Sequence, residues 1–386
     1  MRLKELTATL ALILVLGVGP ATEARHGNRW EQLHSQKIPA AEFSSIVRDF
    51  SEEDGYFRSD NFISNETSYL HVLDKMKSLE CRGGAYIGVG PEQNFTYIAK
   101  IRPKIAFIVD IRRQAVIQHL MYKAIFHLAK SRAEFLSYLF SKPISAGAGL
   151  DPDTPIEKII DYFEKTPADP SAFADNLELI EETIQKRFDF PLSLKDQDSL
   201  EYVYDTFRNE SLNIQYRSDI HGWPVTPWGA FPTLREIILE TDLKGKLGNF
   251  LVERSDYDFV RDLQERNRII PVVGDFAGSK ALPSVANYLE SHGYRVSVFY
   301  TSNVEQYLFS NGVFNAFAEN VRKLPTNGTS LFIRSFPNMR EPHPARVRGH
   351  RLTTLLERIS VFLKDYDRGL YTNYWSLVTT DYIHSY

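Results

Sequence analysis

The chain has 386 residues, of which 43% are hydrophobic and 13% aromatic, so it can build one large folded domain or two smaller ones. Its formal net charge of −4 provides no basic surface for a phosphate backbone, and nucleic acid is therefore not expected as a partner. A single cysteine, Cys81, excludes an internal disulfide and a zinc site built from several cysteines.

The amino terminus has the three regions of a secretory signal peptide. Two basic residues precede an apolar stretch over residues 6–18, and small residues follow. We expect residues 1–24 to direct export to the periplasm or the cell exterior; without a working signal the protein would stay in the cytoplasm. The stretch is too short to cross a bilayer, and no transmembrane span is expected in the mature chain. Residues 25–54 are then an amino-terminal extension, and residues 55–386 a single α/β domain.

The next segment predicts the first half-unit of a nucleotide-binding sheet. A short apolar run leads into Gly88-Val89-Gly90, a helix follows, and the apolar strand 105–109 ends at Asp110. A carboxylate at that place can accept hydrogen bonds from both hydroxyls of a ribose, so Gly88, Gly90 and Asp110 are predicted to bind a nucleoside. The alternative is a tight turn followed by a helix cap, because two glycines without a third form a weak motif.

Helices are predicted to dominate the middle of the chain. Residues 114–140 are predicted to form one long helix, and helices separated by prolines over about residues 141–266 form a helical insertion in the domain. Within the insertion, residues 221–229 hold two tryptophans beside a histidine. This loop is a candidate substrate lid, with tryptophans that fill the helical layer as the alternative.

Strands and helices alternate again after the insertion. Strand 269–273 leads into a loop with Asp275 and Phe276, and helix 281–292 and strand 295–300 follow. Loops at the carboxyl ends of strands converge on one crevice in a doubly wound sheet. Asp275 and Phe276 are therefore predicted to flank an adenine, the acid by accepting from its amine and the ring by packing on its face. The alternative is a turn with the phenylalanine in the core.

The last third of the chain is predicted to complete the sheet. Asn303 and Glu305 open a helix that runs to about residue 324, and they are predicted to orient a polar group of the substrate, with helix capping as the alternative. Residues 330–335 are predicted as a strand, 353–366 as a helix and 375–380 as a closing edge strand.

Four segments together resemble the class I S-adenosylmethionine-dependent methyltransferase fold: YIGVGPEQN, IAFIVDIRR, IIPVVGDFAG and VSVFYTSNVEQYL. Over residues 55–385 the chain resembles a family of largely uncharacterised, often exported bacterial proteins with that fold. The resemblance implies a Rossmann-like, doubly wound, mostly parallel sheet and S-adenosylmethionine as the cofactor. It puts Gly88 and Gly90 under the methionine part, Asp110 on the ribose, Asp275 and Phe276 at the adenine, and residues 302–305 near the methyl acceptor.

The sequence also departs from the methyltransferase pattern. Tyr86 and Glu92 stand where methyltransferases usually carry an acid and a third glycine. Export creates a conflict as well, since the cofactor is made in the cytosol. The alternative is a non-catalytic exported protein that uses the same scaffold to bind a small-molecule ligand or an envelope partner. A nicotinamide-dependent dehydrogenase is the weaker third hypothesis, because the full glycine fingerprint is missing.

Overall fold

The computed structural model describes residues 36–216, 231–338 and 341–385. Its centre is a sheet of six strands in the order β3-β2-β1-β4-β5-β6, of which β6 alone runs antiparallel to its neighbour. The strands are β1 Ala85–Gly88, β2 Ile105–Asp110, β3 Ile269–Val273, β4 Val296–Ser302, β5 Leu331–Pro337 and β6 Leu352–Arg358. The predicted α/β, Rossmann-like fold is confirmed at this level.

Helices pack around the sheet in the described part of the chain. They are α1 Ala40–Phe50, α2 Leu73–Ser78, α3 Gln93–Ile101, α4 Arg113–Leu128, α5 Arg132–Phe140, α6 Ile156–Lys165, α7 Pro170–Glu182, α8 Leu194–Glu210, α9 Leu234–Ile238, α10 Arg254–Glu265, α11 Ala281–Ser291, α12 Val304–Ser310, α13 Phe314–Arg322, α14 Ile359–Asp367 and α15 Tyr374–Thr379. A 3₁₀ turn, Thr67–Leu70, precedes α2. Of the described helices, none is long and apolar enough to cross a membrane.

The strands of the sheet form because their sequences are continuous apolar runs. Every residue of β1, β2 and β3 is buried, as expected for parallel strands that are covered by helices on both faces. At one edge of the sheet, β3 includes a proline, Pro271. The predicted strand over residues 269–273 matches the observed one at both ends.

The strand order fixes where a ligand can approach the sheet. The chain passes from β1 to β2 and β3 on one side, and α11 then leads to β4 on the other side of β1. The order therefore reverses between β1 and β4. In open α/β sheets this reversal leaves a crevice at the carboxyl ends of the strands, where ligands bind.

Several predicted elements differ from the observed ones. The long helix predicted over 114–140 is two helices, because Ser131 ends the extended link between them and its hydroxyl caps α5. The prediction for 353–366 is wrong in its first half, since residues up to 358 form β6. The edge strand predicted over 375–380 is wrong: α15 starts there behind a capping box at Asn373.

The amino-terminal part of the domain begins before residue 55. Residues from Lys37 onward form one compact unit, and α1 buries Phe43 and Val47. The predicted signal peptide over residues 1–24 and the predicted aromatic loop over residues 221–229 lie outside the described residues, so both stay predictions.

Candidate functional site

An irregular segment, residues 51–61, crosses the carboxyl-terminal edge of the sheet, and we call it the strap. It starts after Phe50, whose ring stacks on Phe107 of β2 with the centroids 6.3 Å apart. It ends before Phe62, which is buried in the core. The strap is thus held at both ends by aromatic side chains.

The strap backbone is bonded to the loops that follow two strands. The Glu52 amide donates to the Val273 carbonyl at the end of β3, at 2.9 Å. The Gly55 amide donates to the Ile111 carbonyl just after β2, at 2.8 Å. A Cβ atom at Gly55 would collide with the Ile111 side chain, so glycine permits this close approach.

The Glu52 side chain occupies the corner between β3 and α11. Its carboxylate accepts hydrogen bonds of 2.9–3.0 Å from the backbone amides of Asp275, Lys280 and Ala281. A Cβ atom at Gly278 would collide with this carboxylate. A strap carboxylate therefore uses the free amides at the start of α11, beside one of the residues predicted to contact an adenine.

The prediction for Phe276 needs correction. This residue is 2% exposed, and its ring packs against Phe299 of β4 at 4.9 Å and Phe317 of α13 at 6.1 Å between centroids. The ring belongs to the core because β3 ends three residues earlier and the loop turns back over the sheet. It has no face open to an adenine.

Asp110 lies at the end of β2, as predicted, but its carboxylate is already engaged. It is 4% exposed and accepts three hydrogen bonds of 3.0 Å from Arg112: from the backbone amide, Nε and Nη2. Burial alone would raise the pKa of Asp110, but the Arg112 guanidinium outweighs burial and lowers the pKa below its ordinary value. Nη1 of Arg112 donates to the Ser59 and Asp60 carbonyls of the strap. A ribose would have to displace these contacts.

The glycine loop after β1 is wrapped around a buried amide. Nδ2 of Asn94 donates to the carbonyls of Val89, Gly90 and Pro91 at 2.8–3.0 Å. A Cβ atom at Gly88 would collide with Oδ1 of Asn94, and Gly90 adopts a φ of 78° that favours glycine. Internal packing and backbone conformation thus account for both glycines in this conformation.

A buried polar cluster lies at the reversal of strand order, and we call it the Glu66 cluster. Oε1 of Glu66 accepts from the Tyr300 hydroxyl at 2.9 Å and from the Ser302 hydroxyl. Oε2 accepts from the Gln93 amide at 3.1 Å and from the Ser335 hydroxyl. The donors come from the first residue of α3 and from the carboxyl-terminal halves of β4 and β5. One carboxylate therefore joins three elements of the fold.

The tyrosine of this cluster is fixed as a donor. Burial raises the pKa of Tyr300 well above its ordinary value, and the nearby Glu66 carboxylate raises it further. Its hydroxyl therefore keeps its proton at physiological pH and donates to the carboxylate.

The prediction for Glu305 also needs correction, whereas Asn303 lies near the cluster. Glu305 is 0% exposed, and its Oε1 accepts from Nε of Arg334 and from the Thr301 hydroxyl, both at 2.8 Å. It therefore serves an internal ion pair and does not face a substrate. Asn303 precedes α12 without a side-chain cap bond, and its Oδ1 accepts from the Ser302 hydroxyl at 3.4 Å.

Residues 61–368 match the family described as Domain of unknown function (DUF7790). The chain belongs to this family. The matched range begins at the last residue of the strap and includes all six strands and the Glu66 cluster. A comparison with curated proteins found no match.

Sequence reasoning overlooked Glu66 and Glu52, the two carboxylates that bind most of the donors at this edge of the sheet. Glu66 falls within the DUF7790 match and directly follows Ser64 and Asn65, two residue types that commonly cap helices. An acid between cap residues and an apolar run was the available signal. Glu52 had no signal, because its three donors lie more than 220 positions further along the chain. Within the described residues, no group of three or more His, Cys, Asp or Glu side chains could hold a metal ion.

A second buried acid of the DUF7790 domain lies beside the cluster. Glu92 accepts from the Ser64 amide at 3.1 Å, and burial raises its pKa to about 7, with the Glu66 charge as a smaller cause. In an unfolded chain a glutamic acid ionises near pH ~4.3. The folded protein thus keeps a proton on Glu92 over a range in which the unfolded chain has released it.

Glu92→Gln is expected to stabilise the protein more at about pH 8 than at about pH 5. The unfolded state binds fewer protons between these pKa values, so the wild-type protein loses stability as the pH rises toward 7. The difference between the folded and unfolded pKa values of Glu92 corresponds to a loss of about 3 kcal/mol in the free energy of unfolding at high pH. Glutamine does not ionise and so removes this loss. Urea unfolding at the two pH values measures the gain. The exposed Glu290→Gln is the control, and an equal pH-dependent change in both variants would contradict the assignment.

Proposed function

We propose that this chain is a methyltransferase-like protein that binds S-adenosylmethionine or a related nucleoside at the carboxyl-terminal edge of β1, β2 and β3. The observation that carries the proposal is the convergence of Gly90, Asp110 and Asp275 on this edge, beside the reversal of strand order. Asp110 is the last residue of β2, and the other two follow β1 and β3 by two residues. Ligands of open α/β sheets bind at such a reversal. The strap lies over the same positions, so the described conformation is the closed one.

The Glu66 cluster lies beside the residues that we propose to orient the methyl acceptor. Methyl transfer needs mainly the alignment of an acceptor with an electron-poor methyl group, and it requires no protein nucleophile. Ser302 and Asn303 are partly exposed at the end of β4, next to the buried Glu66 carboxylate. They are the polar groups available to orient an acceptor, and the cluster holds their loop in position.

The test is titration calorimetry of the purified protein with S-adenosylmethionine and S-adenosylhomocysteine. We expect binding that Asp110→Asn weakens at least tenfold, because an amide replaces one of the two acceptor oxygens offered to the ribose. Asp153→Asn, at a highly exposed position, is the control with unchanged affinity. Melting temperatures establish that both variants are folded. If no nucleoside binds even after the strap has been loosened, the proposal fails.

The second candidate is a non-catalytic exported protein that keeps the same scaffold for a small ligand or an envelope partner. The strap contacts favour it, since Glu52 and Arg112 already occupy the adenine and ribose positions. It predicts that a loosened strap leaves the protein folded and unable to bind either nucleoside. The same calorimetric titration thus separates the two candidates.

A further inference from the structure

We propose that the strap is an autoinhibitory lid, latched by Arg112, that must leave the sheet edge before a nucleoside can bind. The inference rests on the proposed function, because it concerns access to the same site. It differs from that function in its prediction, which is that strap variants bind better than the wild-type protein.

The composition of the strap makes it the weakly held part of this edge. Among its eleven residues only Ser59 is buried, and Tyr56 is 78% exposed. The flanking residues Phe50 and Phe62 contact the core through their rings, so they can act as fixed ends while the strap moves. Segments with few buried apolar contacts open at a small cost in free energy.

The strap covers each position that the nucleoside is proposed to use. Glu52 bonds to the amide of Asp275 after β3. The Ser59 and Asp60 carbonyls accept from the Arg112 guanidinium, which is paired with Asp110 at the end of β2. Nδ2 of Asn61 lies 3.8 Å from the place of a Cβ atom on Gly90, after β1. One continuous segment therefore blocks the adenine, ribose and methionine positions together.

Arg112 couples the strap to the ribose position. Its Nε and Nη2 bind Asp110, while its Nη1 binds the two strap carbonyls. A carboxylate offers about four acceptor sites, and three are occupied by Arg112. Two ribose hydroxyls cannot be accommodated without releasing the guanidinium. Ribose binding and strap closure are therefore mutually exclusive, and each must weaken the other.

The Asp110–Arg112 ion pair lies beneath the strap and holds the guanidinium that bonds to the strap carbonyls. The groups that face Arg112 include the Asp110 carboxylate from β2, the Ser59 and Asp60 carbonyls of the strap and the ring of Phe57, whose centroid lies 5.9 Å from Cζ. The Asp60 carboxylate, Tyr216 and His119 also lie close enough to interact with its charge. Tyr202 of α8 donates its hydroxyl to the Asp60 carboxylate at 2.9 Å. The strap is thus attached at its start by Glu52, in its middle by Asp54, which accepts from the Arg113 amide at 2.7 Å and from Lys195 at 2.9 Å, and near its end by the Tyr202 hydroxyl.

Two variants release the strap from opposite ends. Glu52→Ala removes the carboxylate from three backbone amides, and the exposed neighbour Glu53→Ala is the matched control. Tyr202→Phe removes one hydroxyl and retains the ring that packs on Phe62. Hydrogen exchange of residues 51–61 measures opening, and calorimetry with S-adenosylhomocysteine measures access to the site.

We expect Glu52→Ala to speed exchange in the strap and to raise the affinity for S-adenosylhomocysteine, each about tenfold, and Tyr202→Phe to act in the same direction with a smaller effect. Glu53→Ala should change neither quantity. Saturating S-adenosylhomocysteine should speed strap exchange in the wild-type protein, because ligand and strap compete for Asp110.

The outcomes distinguish a failure of the lid proposal from a failure of the proposed function. Faster exchange with unchanged, measurable binding would overturn the lid and leave the proposed function standing. Faster exchange with no binding by any of the proteins would overturn the proposed function and the lid with it. Unchanged exchange in Glu52→Ala would overturn the lid, because that carboxylate would then not hold the strap.

Discussion

Replacing Arg334 by methionine is expected to lower the free energy of unfolding by about 4 kcal/mol, because it leaves two buried carboxylates without their cation. Nε of Arg334 donates to Glu305 at 2.8 Å and Nη1 donates to Glu357. Its guanidinium also lies 4.1 Å above the ring of Phe332. Chemical denaturation of wild type and variant measures the loss.

The charge state of this cluster sets the pH dependence of that loss. Burial opposes the charge on Arg334, but Glu357 and Glu305 outweigh burial and raise its pKa, so the cation persists. Burial raises the pKa of Glu357 to about 7 even beside Arg334. Without the cation, Glu357 would favour the protonated form in the folded state still more. The loss should therefore be larger at about pH 8 than at about pH 5.

Two further variants test the Arg334 argument. Arg322→Met removes a guanidinium that is 40% exposed and is expected to change stability by less than about 1 kcal/mol. Adding Glu305→Gln and Glu357→Gln to Arg334→Met should recover part of the loss, since no buried charge is then left unpaired. A triple variant as unstable as the single one would contradict the charge explanation.

Glu66→Ala is expected to lower the free energy of unfolding by about 4 kcal/mol as well, through lost acceptors in the Glu66 cluster. Four buried or partly buried donors share this carboxylate: Tyr300, Ser302, Gln93 and Ser335. A buried donor left without a partner costs about 1–3 kcal/mol, and some of the four can be solvated by water that enters the cavity. Urea unfolding measures the sum.

Glu66→Gln is the matched variant for this cluster. It keeps the shape and one acceptor oxygen, and the serine and tyrosine hydroxyls can rotate to accept from its amide. We expect a loss of about 1–2 kcal/mol. Equal losses for alanine and glutamine would show that the negative charge, and not the number of acceptors, stabilises the cluster.

The first strands were predictable because burial on both faces leaves an unmistakable run of apolar residues. The run at 105–109 and the run at 269–273 each have this form, and both are strands. The errors in the secondary-structure prediction occur in segments whose sequence is compatible with both a helix and a strand. Residues 352–358 continue directly into a helix. They form a strand because they pair with β5, which lies on average about twenty positions earlier in the chain.

The candidate site was predictable only in its strand ends. Asp110 follows from the apolar strand before it, and its partner Arg112 is only two positions away, so this pair was within reach of sequence reasoning. The strap was not, because it has no apolar period and bonds to loops far along the chain. The prediction that Phe276 packs on an adenine was wrong for a related reason. An aromatic residue after a strand is equally suited to a ligand contact and to the core.

The proline in β3 is expected to disfavour pairing of this sheet edge with a strand from another molecule. The Arg268 carbonyl accepts from Ala106, and the Gly274 amide donates to Asp110, so both positions face β2. Alternation along the strand then turns Pro271, three positions from each, toward the side away from β2. Because proline has no N–H group, an incoming strand from another molecule meets a gap in the hydrogen-bonding edge. At Pro271 this edge of β3 therefore offers no donor to another strand, and its Val273 carbonyl already accepts from the Glu52 amide of the strap.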